Sequence, residues 1–165
     1  MKGLKIDGAP SIDELRGTPG YPGIERARKR SIAFIECIEE IPCNPCETAC
    51  LRGAIKVGRP ITNLPQLDED KCTGCALCVA ACPGLAIYVK TYDYREGMSL
   101  IKFPYEYLPL PEEGREVELA DRYGNTLCKG KVIKVDVSAK NNRTAIVWAE
   151  YPQEYFEDVV TMIRL

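Results

Sequence analysis

The chain has 165 residues, 45% of them hydrophobic and 28% charged, with a formal net charge of −2. That length suits one domain or two small ones, the acidic balance disfavours a nucleic-acid binder, and no apolar run approaches the roughly 18 residues that span a bilayer. There are nine cysteines and no histidine, which removes mixed Cys/His zinc sites, histidine-held haem and any mechanism needing an imidazole base.

Residues 1–30 open with MKGLKIDGAPSIDELRG, which lacks the apolar core of a signal peptide and points to a cytoplasmic protein. Gly and Pro are frequent here (GAP, GTPGYPG), so the segment reads as an extended N-terminal arm. It ends in the basic cluster Arg26, Arg28, Lys29 and Arg30. A solvated surface is the plain reading of that cluster and a partner contact the sharper one.

Residues 31–90 contain an internal repeat with an offset of 32 positions. Cys43, Cys46 and Cys50 fall on Cys75, Cys78 and Cys82, and ACLRGAIKV (49–57) falls on ACPGLAIYV (81–89). A fixed offset over cysteines and apolar flanks predicts a pseudo-twofold unit. Each half would hold a cysteine loop, a short helix from about Pro45 or Ala76, and a closing strand. SIAFIE (31–36) reads as an opening strand of alternating, β-branched residues.

Residues 91–165 carry one cysteine and many strand signals. In KVIKVDV (131–137), Ile133, Val135 and Val137 share one face and Lys134 and Asp136 the other. TAIVWAE (144–150) is apolar on both faces, as in a more buried strand, and SLIKF (99–103) and EVELA (116–120) are further strands. YGN (123–125) and AKNNR (139–143) supply turns. The last segment, YPQEYFEDVVTMIRL, reads as a turn at Pro152 and a strand, with an amphipathic helix as the alternative. The predicted fold class is therefore α+β: a pseudo-twofold domain at 31–90 and a small antiparallel β-sheet or barrel at 91–165.

Eight of the nine cysteines lie between residues 37 and 82. In a secreted chain that density would suggest disulfides, but the cytosol keeps thiols reduced. Cysteines two residues apart are also better placed to share a metal than to pair with distant partners. Cys72, Cys75, Cys78 and Cys82, followed by Pro83, have the spacing of an iron–sulfur run; a Cys₄ zinc site is the competing reading. Gly74 lets the backbone approach such a cluster, and Ala76, Ala80 and Ala81 leave room around it.

The first run is irregular. The repeat places Glu40 where Cys72 has its counterpart, and Cys37 lies three residues upstream. A short loop, IEEIP, can carry Cys37 back to the site. Thiolate is the preferred ligand of iron–sulfur clusters, so Cys37 is the expected fourth ligand. A three-cysteine [3Fe–4S] site and an oxygen ligand from Glu40 are the alternatives.

The run CTGCALCVAACP resembles that of bacterial ferredoxins, and the central 60 residues resemble the two-[4Fe–4S] ferredoxin fold. That resemblance implies crossed ligation, in which the fourth cysteine of each run serves the other cluster. One cluster would use Cys37, Cys43, Cys46 and Cys82, and the other Cys72, Cys75, Cys78 and Cys50. IECIEEIPCNPCETAC, with its displaced first cysteine, is similar to the small dicluster subunit of multi-subunit flavin-dependent dehydrogenases of the proline, hydroxyproline and sarcosine type, relatives of hydrogen-cyanide synthase among them. The resemblance implies an electron-transfer subunit without catalytic residues, working beside flavoprotein subunits that carry the flavin. A free, diffusible ferredoxin is the alternative. Against it stands a C-terminal region that a soluble shuttle does not need and that would dock the chain to partners.

Cys128 reads as a small core residue. Tyr88, Tyr92, Tyr94, Tyr105 and Tyr107 suit either an interface or ordinary strands. The sequence contains no Gly-x-Gly-x-x-Gly, so no dinucleotide-binding domain is predicted.

Overall fold

The computed structural model describes residues 3–165, and in it the Gly/Pro-rich N-terminal stretch is not extended. It carries three short helices, α1 (Leu4–Asp7), α2 (Ile12–Arg16) and α3 (Ile24–Lys29). A capping box starts α2: the Ser11 hydroxyl accepts from the Glu14 amide (3.3 Å), and the Glu14 carboxylate accepts from the Ser11 amide (2.7 Å). Leu15 and Ala27, both fully buried, anchor α2 and α3. The basic cluster is only partly a solvated face. Arg26 donates to the Glu69 carbonyl (2.5 Å), Arg30 donates to the Asp70 carbonyl (2.7 Å), and Arg28 lies over the Tyr92 ring.

One antiparallel sheet of seven strands follows. Its members are β1 (Ile32–Ile35), β4 (Ile87–Arg95), β5 (Met98–Tyr105), β6 (Glu116–Ala120), β7 (Thr126–Asp136), β8 (Ala145–Pro152) and β9 (Thr161–Met162), in the order β1-β4-β5-β8-β7-β6-β9. The boundary expected after residue 90 falls inside β4. The cysteine-bearing region and the C-terminal strands therefore share a sheet. The separate strands β2 (Ile55–Lys56) and β3 (Gln66–Leu67) pair with each other. The architecture is α+β, with short helices and a predominantly antiparallel sheet.

All four residues of β1 are buried, where alternation would leave one face wet. Both faces are covered. Phe34 stacks on Tyr88 (centroids 5.6 Å apart, 11° between planes) and meets the edges of Tyr21 and Phe156. On the opposite face, Ala33 and Ile35 turn toward the cysteine loops. Burying a side chain such as Phe34 contributes on the order of 1.5–3 kcal/mol.

The alternation read from KVIKVDV is corrected by a bulge. Val132 pairs with Ala149 but Lys134 pairs with Trp148, so Ile133 is the extra residue. One inserted residue reverses which side chains face inward. Val132 is consequently buried, Val137 is exposed, and Asp136 is turned in, where it accepts from the Ser138 amide and pairs with Lys140. At the C-terminus, Pro152 leads into a 3₁₀ turn (Gln153–Tyr155) and then β9, which pairs with β6; the amphipathic helix is not formed. Among the described residues, no helix is long and apolar enough to cross a membrane.

Candidate metal centre

The 32-residue offset recurs in the backbone. Helix α4 (Pro45–Ala49) corresponds to α5 (Leu77–Ala81). Strand pairing is exchanged between the halves: Ile35 pairs with Ile87, and Ile55, which corresponds to Ile87, pairs with Leu67, which corresponds to Ile35. After each helix the chain turns identically. The Gly53 amide donates to the Cys50 carbonyl (2.9 Å) and the Leu85 amide to the Cys82 carbonyl (3.2 Å), with both residues at positive φ (60° and 53°). The next amides reach sulfur: Ala54 N–H to Cys50 Sγ (3.2 Å) and Ala86 N–H to Cys82 Sγ (3.4 Å).

Two small cavities, of about 20 and 30 Å³, lie against the sheet. Cys50, Cys72, Cys75 and Cys78 line one, backed by Ala33 and Val89. Cys37, Cys43, Cys46 and Cys82 line the other, backed by Ile35 and Ile87. Each cavity thus draws three cysteines from one run and one from the other. Glu40 is exposed and is not part of the lining; Glu39 is. Of the small residues expected near the site, Ala76 lines the first cavity. Gly74 sits at φ 66° and its close neighbour is Ser31.

The residues present suit an iron–sulfur cluster. The donors are thiols, and a third backbone amide, Ala33 N–H, points at Cys72 Sγ (3.4 Å). Burial, followed by the proximity of Cys82, pushes the Cys46 thiol up to about 11. Burial and then Cys72, Cys75 and Cys50 hold Cys78 well above the ordinary thiol range, and burial with Cys82 and Cys43 raises Cys37. Thiolates crowded in an apolar cavity become stable when a cationic metal shares their charge. A mononuclear zinc site brings every thiolate to about 2.3 Å from one ion. Among the described residues no three His, Cys, Asp or Glu side chains converge on a single-ion position. A polynuclear cluster is served by thiolates ringed around a cavity.

Two contributions come from outside the repeat, and no sequence signal pointed to them. Lys102 on β5 donates to the Gly74 carbonyl (3.0 Å) while lying 4.3 Å over the Trp148 ring. Arg122, between β6 and β7, pairs with Glu36 next to Cys37 (3.0 Å). Both depend on sheet register, which brings distant segments together. Cys128 is half-buried and packs against the core; burial, with a smaller effect of Glu154, raises its thiol to about 11. Among the tyrosines, Tyr88 and Tyr105 are buried strand residues and Tyr107 is exposed. A wider cleft, about 810 Å³ of it open to water, lies beside the Cys82 turn between Tyr88, Tyr105, Tyr107 and the C-terminal strand, and no thiol lines it.

The family model for a 4Fe-4S binding domain (Fer4) matches residues 65–88. The chain is 44% identical over 61 residues to a protein of Methanosarcina acetivorans named as a component of an ion-translocating oxidoreductase complex, covering 37% of this chain and 21% of that protein. It is 32% identical over 73 residues to a probable iron–sulfur protein of the Frd operon of Proteus vulgaris, covering 44% of this chain and 45% of that protein. The alignments thus span less than half the length of these curated relatives. No solved structure matches significantly. The segment holding Cys72, Cys75, Cys78 and Cys82 lies within the match to a 4Fe-4S binding domain, which supports iron–sulfur binding there.

Proposed function

We propose that the chain is a cytoplasmic electron-transfer subunit that holds two [4Fe–4S] clusters in a multi-subunit dehydrogenase. In that complex flavoprotein subunits oxidise an amine or amino acid. The observation that carries the two-cluster reading is the pair of cavities, each lined by four thiols in the crossed arrangement. Cys37, Cys43, Cys46 and Cys82 would hold one cluster, and Cys50, Cys72, Cys75 and Cys78 the other. When bound, such clusters accept and release single electrons, which suits a partner whose flavin is reduced by two.

The chain itself supplies ligands, hydrogen bonds to sulfur from Ala33, Ala54 and Ala86, and apolar walls that limit water. The reading as one component of a larger assembly is supported by the names of the two relatives, both of which describe subunits. It is also supported by the C-terminal strands, which extend well beyond what the cavities require. The flavin partner rests on the displaced first cysteine in IECIEEIPCNPCETAC. Purification under anaerobic conditions, with partners retained and iron and acid-labile sulfide measured, tests the whole reading. About eight irons per chain with flavoprotein subunits alongside is the expected result. About seven irons would assign a three-iron cluster to the irregular run, and a lone monomer would favour a diffusible ferredoxin.

A further inference from the structure

The repeat gives both cavities four thiols and the same sulfur-bonding turn, but the sites differ in the extra Ala33 amide at Cys72 and in the charges that border them. At the Cys50/Cys72/Cys75/Cys78 cavity the charge in the lining and the one held against the Gly74 loop are positive. Arg52 lines it. Lys102 is held at the Gly74 carbonyl by its hydrogen bond and by the Trp148 face, and its ammonium and Cys75 act on each other. Lys134 lies over the same Trp148 ring (5.2 Å), and Lys140 is paired with Asp136 (3.4 Å). Arg26 donates to the Cys72 carbonyl (3.4 Å). Asp68, Glu69 and Asp70 precede Cys72; Lys71 pairs with Asp68 (2.7 Å), the Glu69 carboxylate accepts from the Gly23 amide (2.7 Å), and Arg26 and Arg30 are held against the same loop through the Glu69 and Asp70 carbonyls.

The Cys37/Cys43/Cys46/Cys82 cavity has the opposite border. Glu39 lines it, and exposed Glu40 follows in sequence. Glu36, beside Cys37, is matched by Arg122. Glu47, beside Cys46, accepts from the amides of Val57 and Gly58 (3.1 and 3.0 Å). The nearby cation is Arg59, exposed, two residues before Ile61, whose carbonyl accepts from the Cys43 amide.

We infer that the two sites are inequivalent: the Cys50/Cys72/Cys75/Cys78 site has the higher reduction potential, and Lys102 is a positioning charge that raises it. Reduction adds negative charge, so a cation held close favours the reduced state and a carboxylate disfavours it. The effect is greatest where water is excluded, and Lys102 is half-buried between Trp148 and the Gly74 loop. An electron reaching this chain would therefore come to rest at the site bordered by Lys102, where Cys75 is exposed. The inference rests on the two-cluster reading.

The test is a redox titration of the anaerobically reconstituted full chain, followed by EPR, with iron analysis alongside. Two separate waves are expected. Lys102→Met should move the higher wave to lower potential and leave the other in place, and Lys102→Arg should keep it. Arg52→Gln, at an exposed position, should move the same wave in the same direction, which covers the case in which Lys102→Met does not fold. Cys75→Ser identifies the wave by altering the signal of one site. Coincident waves, or a Lys102→Met shift confined to the lower wave, would overturn the inference while leaving two clusters in place. Iron well below about eight per chain would instead overturn the two-cluster reading on which it rests.

Discussion

Arg122 and Glu36 form a 3.0 Å ion pair whose side chains are only 7% and 11% exposed. Glu36 immediately precedes Cys37, and Arg122 lies between two strands of the C-terminal region, so the pair fastens that region to the entrance of the irregular cysteine run. The Tyr88 hydroxyl donates to the same carboxylate. Removing one member of a buried pair strands the other charge and typically costs about 3–5 kcal/mol. Arg122→Ala should therefore lower stability by roughly 3 kcal/mol or more, read as a shift in the urea midpoint. Replacing both residues with apolar ones (Arg122→Met with Glu36→Leu) should recover most of the loss. A single variant within about 0.5 kcal/mol of wild type would show that the pair is not structural.

Cys37 is the proposed ligand that the repeat did not supply, and the cavity wall includes it while Glu40 stays in solvent. Cys37→Ala should convert or destroy one cluster and spare the other, whereas Glu40→Ala should change neither. EPR of the reduced proteins separates these outcomes. Two intact [4Fe–4S] signals in Cys37→Ala would refute the assignment of Cys37.

Much of this was legible in the sequence because iron–sulfur ligation imposes short, rigid spacing. The 32-residue offset located both helices, and the β-branched runs located β5, β6 and β8. What stayed hidden was set by distant neighbours. Ile133 reverses the face of β7 only because β8 fixes the register, and Arg26 leaves solvent only because the loop before Cys72 offers it carbonyls. The Gly/Pro-rich start reads as extended because each of its helices is too short to show a period; α2 is held by a cap and one buried leucine. The expected boundary at residue 90 follows the change in composition, but β4 runs through that change without interruption.

Gly74 is a position where the backbone leaves no choice of residue. Its φ of 66° is in the left-handed region, and an added Cβ would lie 2.7 Å from Ser31 Cβ and 3.0 Å from the Ser31 carbonyl carbon. Relief by rotating the Ser31 side chain does not clear the carbonyl carbon. Gly74→Ala should cost about 1–3 kcal/mol from backbone strain, with the clash added. It should displace the loop that carries Cys75. Iron per chain should fall by about one cluster, measured after reconstitution, while Gly84→Ala, whose Cβ meets open space, should retain full iron.

Lys90 gives the fold a pH dependence whose sign can be worked out. Its ammonium group is fully buried, donates to the carbonyls of Phe156 (2.5 Å) and Glu157 (3.1 Å), and lies over the rings of Phe34, Tyr88 and Phe156. Burial is the main cause that brings its pKa from 10.5 down to about 7. Between those two values the unfolded chain holds a proton that the folded chain has released, so stability contributed by this group rises with pH across the window. Below about pH 7 the cost of the buried charge is present in full and is flat. Urea midpoints of wild type at pH 7 and pH 9, compared with those of Lys90→Met, isolate the effect. The wild type should gain stability relative to the variant over that interval. Equal slopes would mean that Lys90 stays charged in the fold, held by its two carbonyls and three aromatic faces against the cost of burial.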